Sequence, residues 1–312
     1  MKKYLPLAFL LFVITAKAQE EDLLALVGDK PEENKTVYAT FKTFKLGNAQ
    51  TIETVKAKHL DFRISHRFGN IYNANDPNPI NQTFQTFFGF DAVNDIRFSF
   101  DYGLTDDITL GIGRSRMNKQ IDGSIKWKFL KQTTDFKIPV SVTFFGDAGY
   151  NHNPTSILYS GVEKNFKTNE LHRFNYVAQL IIASKINKAI SLQILPTYFH
   201  RNFIVQRINT NNQAEDENGL FSIGVGGRVK LTKRMSIIGD YFYNFNKFYQ
   251  NNDDVKMPLA FGVEMETGGH VFSLFFTNSG GLIENNFLTY TSDSWLKGQV
   301  KFGFCISRTF AL

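Results

Sequence analysis

Long apolar runs are absent from this chain. The longest, Tyr4 to Thr15, has 12 residues, short of the roughly 20 that carry a helix across a bilayer. A helical membrane protein is excluded. Cysteine is nearly absent as well: Cys305 stands alone, so an intrachain disulfide framework and a multi-cysteine metal site are both impossible. Basic clusters are missing, which removes the usual footprint for nucleic acid. What is present excludes disorder. Hydrophobic residues make up 43% and aromatic residues 15%, too many packing groups for an unfolded chain. The mean hydropathy is nevertheless −0.22. Phe is the compositional outlier, with 32 copies in 312 residues. Apolar residues that are Phe-rich and scattered, not blocked, point to strands.

Residues 1–18 read as an export signal. Lys2 and Lys3 supply the positive start, Leu5 to Thr15 the apolar stretch, and Ala16-Lys17-Ala18 a small-x-small cleavage site. The mature chain is expected to begin at Gln19. No Cys follows the site, which argues against a lipid anchor there. Loss of Lys2, Lys3 and Lys17 lowers the formal charge from +6 to +3, so the pI of 9.1 overstates the mature protein.

From Lys58 onward about twelve stretches alternate apolar with polar residues. In His59–Phe68, Leu60, Phe62, Ile64 and Phe68 share one face and Asp61, Arg63, Ser65 and Arg67 the other. Asp95–Leu104, Asp107–Ser115 and Gln120–Leu130 repeat the pattern. Period 2 is the strand signature, because successive side chains point to opposite faces. Less sharply patterned strands are predicted at Lys137–Ala148, Leu171–Ser184, Ala189–Phe199, Gly219–Leu231, Arg234–Asn244, Met257–Glu266, Gly269–Thr277 and Gly298–Leu312. Several carry apolar residues on both faces near one end. Pro139 and Pro196 fall inside predicted strands, where a missing N–H weakens the ladder.

Connection lengths alternate. Short links are expected at Thr105-Asp106, near Lys131–Phe136, and at Lys185–Lys188, Thr232-Lys233 and Thr267-Gly268. Gly69–Asn94, Gly149–Glu170, His200–Asn218, Phe245–Lys256 and Asn278–Lys297 are long, turn-rich loops. Only Arg116–Lys119 breaks the alternation. One end of the molecule thus carries turns and the other loops, the plan of an outer-membrane β-barrel. The fold class predicted is all-β: a closed antiparallel transmembrane barrel of about 12 strands over residues 58–312, with both termini periplasmic.

Alternation alone also fits a soluble barrel with Phe inside. Three features place lipid outside. Gly111, Gly113, Gly224, Gly226 and Gly303 fall on the polar face, where a crowded lumen needs small residues. Tyr102, Trp127, Tyr150, Tyr176, Tyr198 and Tyr243 sit near strand ends, as interfacial girdles do. Val300, Phe302, Phe304, Ile306, Phe310 and Leu312 form one apolar face running to the C-terminus.

Two segments carry a family resemblance. Phe62-Arg63-Ile64-Ser65-His66-Arg67-Phe68-Gly69, and Tyr102-Gly103-Leu104-Thr105-Asp106 leading into Gly111-Ile112-Gly113-Arg114-Ser115, resemble a Bacteroidota outer-membrane β-barrel family of unknown function. The resemblance implies a barrel in the outer membrane; the apolar C-terminal strand, with Phe310 near its end, is itself the kind that is handed to the outer-membrane barrel assembly machinery. The resemblance implies no substrate, cofactor or catalytic residue.

The face expected to line the lumen collects Asp61, Arg63, Arg67, Arg97, Asp101, Asp122, Lys126, Lys128, Arg228, Asp240, Glu264 and Lys301. Either these charges form a polar path or ligand site, or opposed charges pair across a narrow lumen and hold it shut. Eight-stranded barrels are filled and those of 16–18 strands hold water, so twelve predicts a narrow or plugged pore. Residues 19–57 are expected as a periplasmic extension, a lumen plug or an extra hairpin. Leu23, Leu24, Leu26 and Val27 suit a short helix; Val37, Ala39 and Phe41 alternate; Gly47-Asn48 offers a turn.

Enzyme signals are weak. Ser65 and His66 point to opposite faces, and G-x-S-x-G and H-E-x-x-H are absent. Gly224-Val225-Gly226-Gly227-Arg228-Val229-Lys230 fails the phosphate-loop spacing. His59, His66, His152, His172, His200 and His270 show no metal-ligand spacing. Glu215-Asp216-Glu217 and Asp253-Asp254 read as solvated loop acids. The leading expectation is a narrow passive channel or solute-uptake barrel for a small solute, without catalysis, metal or cofactor. The alternative is a sealed barrel whose surface loops bind a partner or ligand; an outer-membrane hydrolase ranks third.

Overall fold

The structure is a computed structural model that describes residues 36–163 and 165–312. The expected export signal and the Leu23–Val27 helix lie outside those residues. Twelve strands occur among the described residues: β1 (His59–Asn70), β2 (Val93–Gly103), β3 (Ile108–Ser115), β4 (Ile121–Leu130), β5 (Ser141–Tyr150), β6 (Phe174–Lys185), β7 (Ile190–Arg201), β8 (Gly219–Lys230), β9 (Met235–Asn244), β10 (Leu259–Thr267), β11 (His270–Thr277) and β12 (Lys301–Ala311).

Each strand pairs antiparallel with its sequence neighbours, and β1 closes on β12. That seam runs from His59 opposite Ala311 to Asn70 opposite Lys301. Closure has a physical cause. An unpaired N–H or C=O costs several kcal/mol in hydrocarbon, and an open sheet has two edges of them.

The alternation sets the two faces. Phe98 and Phe100 on β2, Leu110 and Ile112 on β3, and Ile125, Trp127 and Phe129 on β4 are all exposed on the outer wall. Their neighbours Ser99, Thr109, Asp122 and Lys126 are buried inside. A soluble barrel would reverse this, so the apolar belt faces lipid.

Short links and long links separate as expected. The shortest, Gly268-Gly269, has φ of +51° and +92°, the left-handed pair a two-residue hairpin turn requires. It lies one residue beyond the expected Thr267-Gly268. Two further boundaries differ. Pro139 precedes β5 instead of interrupting it. Pro196 does sit in β7, and there the β6–β7 ladder skips from Gln179–Thr197 to Ile182–Ile194, since proline has no hydrogen to donate.

One expectation is overturned. The link 278–300 is not a surface loop throughout: it contains a helix, Glu284–Tyr290, in which every residue from Glu284 to Thr289 is buried. Phe287 packs on the inward ring of Phe242 on β9, with centroids 5.0 Å apart. The helix therefore lies within the barrel. Its neighbours form an internal apolar core of Phe145, Val177, Ile181, Leu195, Phe199, Ile238 and Phe242, all inward on β5, β6, β7 and β9. This is the origin of the apolar residues on both faces of those strands.

Candidate functional site

The inner wall is divided by chemistry. Strands β1 to β4 present charge inward, while β5 to β9 present much of the apolar core. Both halves meet the segment before β1. At the short-turn end Val37 N donates to Gln132 O at 2.8 Å. Farther in, Leu46 N donates to Ala49 O at 2.8 Å and Thr51 N to Phe44 O at 3.0 Å, closing a hairpin at Gly47-Asn48. Phe41, Leu46, Ala49 and Ile52 are buried in the internal core.

Inward side chains all around the barrel hold this hairpin. Ser191 of β7 donates to Thr40 O at 2.6 Å and Gln193 to Gln50 O at 2.7 Å. Thr143 of β5 donates to Ile52 O at 3.0 Å. Asn48 N donates to Asp240 of β9 at 2.8 Å, and Thr43 to Glu264 of β10 at 3.0 Å. Val55 N donates to Thr109 of β3 at 2.8 Å. Close approach demands glycine at two points. A Cβ on Gly47 would stand 2.5 Å from the Ala260 Cβ, and one on Gly103 would stand 2.1 Å from Lys56 O.

The twelve expected charges all lie on inward positions, but they do not pair across the lumen. They pair along the wall or with the hairpin. Arg63 donates to Asp61 two residues away at 2.8 Å and approaches Asp101 at 3.8 Å. Arg97 grips Asp122 with two bonds of 2.6 Å. Arg228 donates to Glu264 at 3.0 Å. Lys301 bridges to Asp293 and donates to Asn70 at 2.8 Å. Arg67 donates to Gly47 O and Asn48 Oδ1, both at 2.9 Å. Lys126 donates to Phe44 O at 2.9 Å and Thr51 O at 3.1 Å. Lys128 meets Glu53 at 3.5 Å. Asp240 takes the Asn48 amide. The geometric reason is distance: the hairpin occupies the space between opposite walls, so a charge reaches a neighbouring strand or the hairpin first.

Sequence reasoning missed several members. Asp95 caps Met117 N at 2.9 Å and Leu282 N at 3.2 Å. Asp147 accepts from Asn285 of the buried helix at 3.1 Å. Asp216, expected as a solvated acid, is buried and held by Arg201 and Arg207 at 2.8 and 2.7 Å. Burial beside them pushes the Tyr249 hydroxyl up to about 12. No spacing rule marks Asp216, because its partners lie on another strand end and across a loop.

Two spaces remain. A cavity of about 40 Å³ lies between hairpin and wall, lined by Lys45, Arg63, Arg97, Asp101, Lys126 and Glu284. A single water needs at least ~10–15 Å³, so this cavity suits a few waters and no larger solute. A second, of about 270 Å³, opens among the loops, lined by Asn118, Asn151, Asn153, Arg201, Arg207 and Tyr290. Ser65 and His66 stay on opposite faces: Ser65 donates inward to Cys305 Sγ at 3.4 Å, while the His66 ring stacks on Phe304 at 5.5 Å.

Residues 41–310 match the family described as a membrane-bound beta-barrel domain (DUF5777), and the chain belongs to that family. No curated protein matches it. Among solved structures it is similar to the NanC porin, at 9% identity over 81% of this chain and 100% of that one, with a TM-score of 0.45. The KdgM porin in complex with disordered oligogalacturonate matches at 8% identity over 81% and 99%, with a TM-score of 0.42. LpxR from Salmonella typhimurium matches at 10% identity over 81% and 100%, with a TM-score of 0.34. These likenesses are of fold.

Proposed function

We propose that this membrane-bound barrel resides in the outer membrane and is closed at rest by its own hairpin, opening as a narrow channel or solute-uptake path only when the hairpin leaves. It works without catalysis. The short-turn end, where β1 starts and β12 stops, faces the periplasm in this reading. Export by residues 1–18, a Bacteroidota lineage and recognition of β12 by the barrel assembly machinery belong to the same reading.

One observation carries it. The hairpin from Thr40 to Val55 is bonded to inward side chains of β1, β3, β4, β5, β7, β9 and β10. A segment tied to opposite walls stands in the way of a solute, which supports the closed resting state.

Planar-bilayer recording of the full chain tests the proposal. Wild-type protein should be silent. Gly47→Val, whose side chain collides with Ala260, should displace the hairpin and give steady conductance. Gly103→Val, which collides with the hairpin backbone at Val55 and Lys56, should do the same. Heat-modifiable migration on gels confirms that each variant is folded. Steady conductance by wild-type protein would show an open channel instead. Silence of both folded variants would remove the hairpin as the seal.

A further inference from the structure

The link between β1 and β2 carries an exposed apolar face. Residues 77–90 hold no charge, between Asp76 and Asp91. They form a helix, Pro79–Gln85, and the turn after it. Ile80, Phe84 and Phe87 are 66%, 66% and 64% open, and Phe88 and Phe90 are exposed beside them. Positions 80, 84 and 88 continue one helix face, and the Phe84 and Phe88 rings lie 5.5 Å apart. The turn is strained to make this face. Phe87 and Phe88 have φ of +47° and +56°, a left-handed conformation that bulky residues rarely adopt. It persists only where its surroundings fix it. Here Gly89 O accepts from Gly69 N of β1 at 2.9 Å.

The segment also keeps its polar groups to itself. Every backbone N–H from Thr86 to Ala92 donates within the segment, that of Gly89 to the Thr86 hydroxyl and the others to carbonyls. The Thr83 and Thr86 hydroxyls turn back to Pro79 O and Gln82 O at 2.9 and 3.0 Å. A segment in hydrocarbon must satisfy its backbone internally, whereas one in water need not.

Its position is the third observation. Phe90 packs edge-on to Phe68 of β1 at 4.8 Å and tilts over Phe302 of β12 at 5.6 Å. Phe302 in turn meets Phe276 of β11 at 5.8 Å. The exposed face is therefore continuous with the lipid-facing belt at the long-link end. Beneath it the β1–β12 ladder shifts register between Arg67 and Asn70. Within that shift Phe68 O accepts from the Asn94 side chain at 2.6 Å, and Gly69 N donates to Gly89 O. The same link thus covers the seam and bonds its backbone.

We infer that the segment Ile80–Phe90 is buried in the lipid acyl chains of the leaflet at the long-link end, a hook that docks this loop on the membrane over the seam. In water its rings would form an exposed apolar patch. Continuity with the belt selects lipid over a second copy of the chain, because the acyl chains that cover Phe302 extend to Phe90 and Phe87. The hook is independent of the hairpin and of whether the lumen conducts.

The test uses the full chain with Cys305→Ala, which removes the single native thiol, folded into phosphatidylcholine vesicles. A nitroxide is placed on Phe87→Cys and, separately, on Phe84→Cys. Asn75→Cys, at an exposed polar position of the same link, is the reference. Heat-modifiable migration selects folded protein. Power saturation then compares collisions with oxygen, which concentrates in the acyl layer, and with a water-soluble nickel chelate. Oxygen collisions should dominate at positions 84 and 87, and nickel collisions at position 75. Nickel dominating at either 84 or 87 overturns the inference and places the segment in water. Shielding from both reagents overturns it as well, and spin–spin broadening that disappears on dilution with unlabelled protein would identify a second copy as the occupant.

Discussion

The Lys45 ammonium donates to the carbonyl of Leu282 inside the barrel. Lys45 stands on the hairpin that enters from the short-turn end. Leu282 stands on the link between β11 and β12, which folds in from the opposite end. Gln50 and Glu284 approach beside them at 3.5 Å. Two segments from opposite ends of the chain thus meet in the lumen, and each covers the other's apolar side.

Phe287 is the residue on which this joint core should depend most. It is fully buried and stacked on Phe242. Phe287→Ala should destabilise the fold by about 3–5 kcal/mol, the usual result of emptying a large aromatic site. Denaturant titration of the protein in detergent measures it. A change below ~1 kcal/mol would mean that the site collapses or was never packed.

The Arg97–Asp122 pair should behave asymmetrically. Both bonds are 2.6 Å and both side chains are largely buried. Arg97→Ala strands the carboxylate and should cost about 3–5 kcal/mol. The double change Arg97→Met with Asp122→Leu should recover most of that loss, because no unpaired charge remains. Equal losses in the single and double variants would show that packing, not charge, dominates there.

Ile112 tests the solvent of the outer face. It is 59% exposed at the middle of β3. Ile112→Arg should cost about 2–4 kcal/mol for folding into lipid vesicles, since the midplane of a bilayer tolerates a cation poorly. In a soluble barrel the same exposed position would accept Arg almost without effect. The two outcomes separate cleanly in an equilibrium folding titration.

Tyr249 should produce an alkaline transition in the loops. Burial is the main cause of its raised pKa of about 12, with Arg201 opposing it. The raised value means that the folded state favours the neutral phenol. Its contribution is complete below the ordinary value near 10 and is lost as pH rises through about 12. Near-ultraviolet circular dichroism of the loop cluster should therefore change over that window. Tyr249→Phe should remove the contribution of this residue, and at neutral pH it should change stability little, because the hydroxyl has no partner among the described residues.

The strands were legible because period 2 is local. Asp61, Arg63 and Arg67 alternate with Phe62, Ile64 and Phe68 wherever the strand is placed. The turn at Gly47-Asn48 was legible for the same reason. The pairing of the lumen charges was not. Arg67 finds Gly47, twenty residues away, only because the chain before β1 turns back into the barrel. Asp216 looked solvated because its flanking acids are polar, yet two arginines from elsewhere enclose it. A usable signal was present in β5 to β9. Phe145, Ile181, Leu195 and Phe242 are apolar on the inward face, and an apolar inward patch must be covered by something.

The amino-acid sequence by itself determined a twelve-stranded wall with lipid on one face and polar groups on the other, because side-chain direction along a strand follows from backbone geometry alone. It also determined which end carries turns, through Gly, Asn and Asp at the short links. Tertiary structure decided what fills the wall. Lys45 and Leu282 are 237 positions apart, and no local pattern links them. Their contact exists because closing the sheet creates an interior half lined with apolar side chains, and the hairpin and the Glu284–Tyr290 helix are the segments whose apolar residues can cover it.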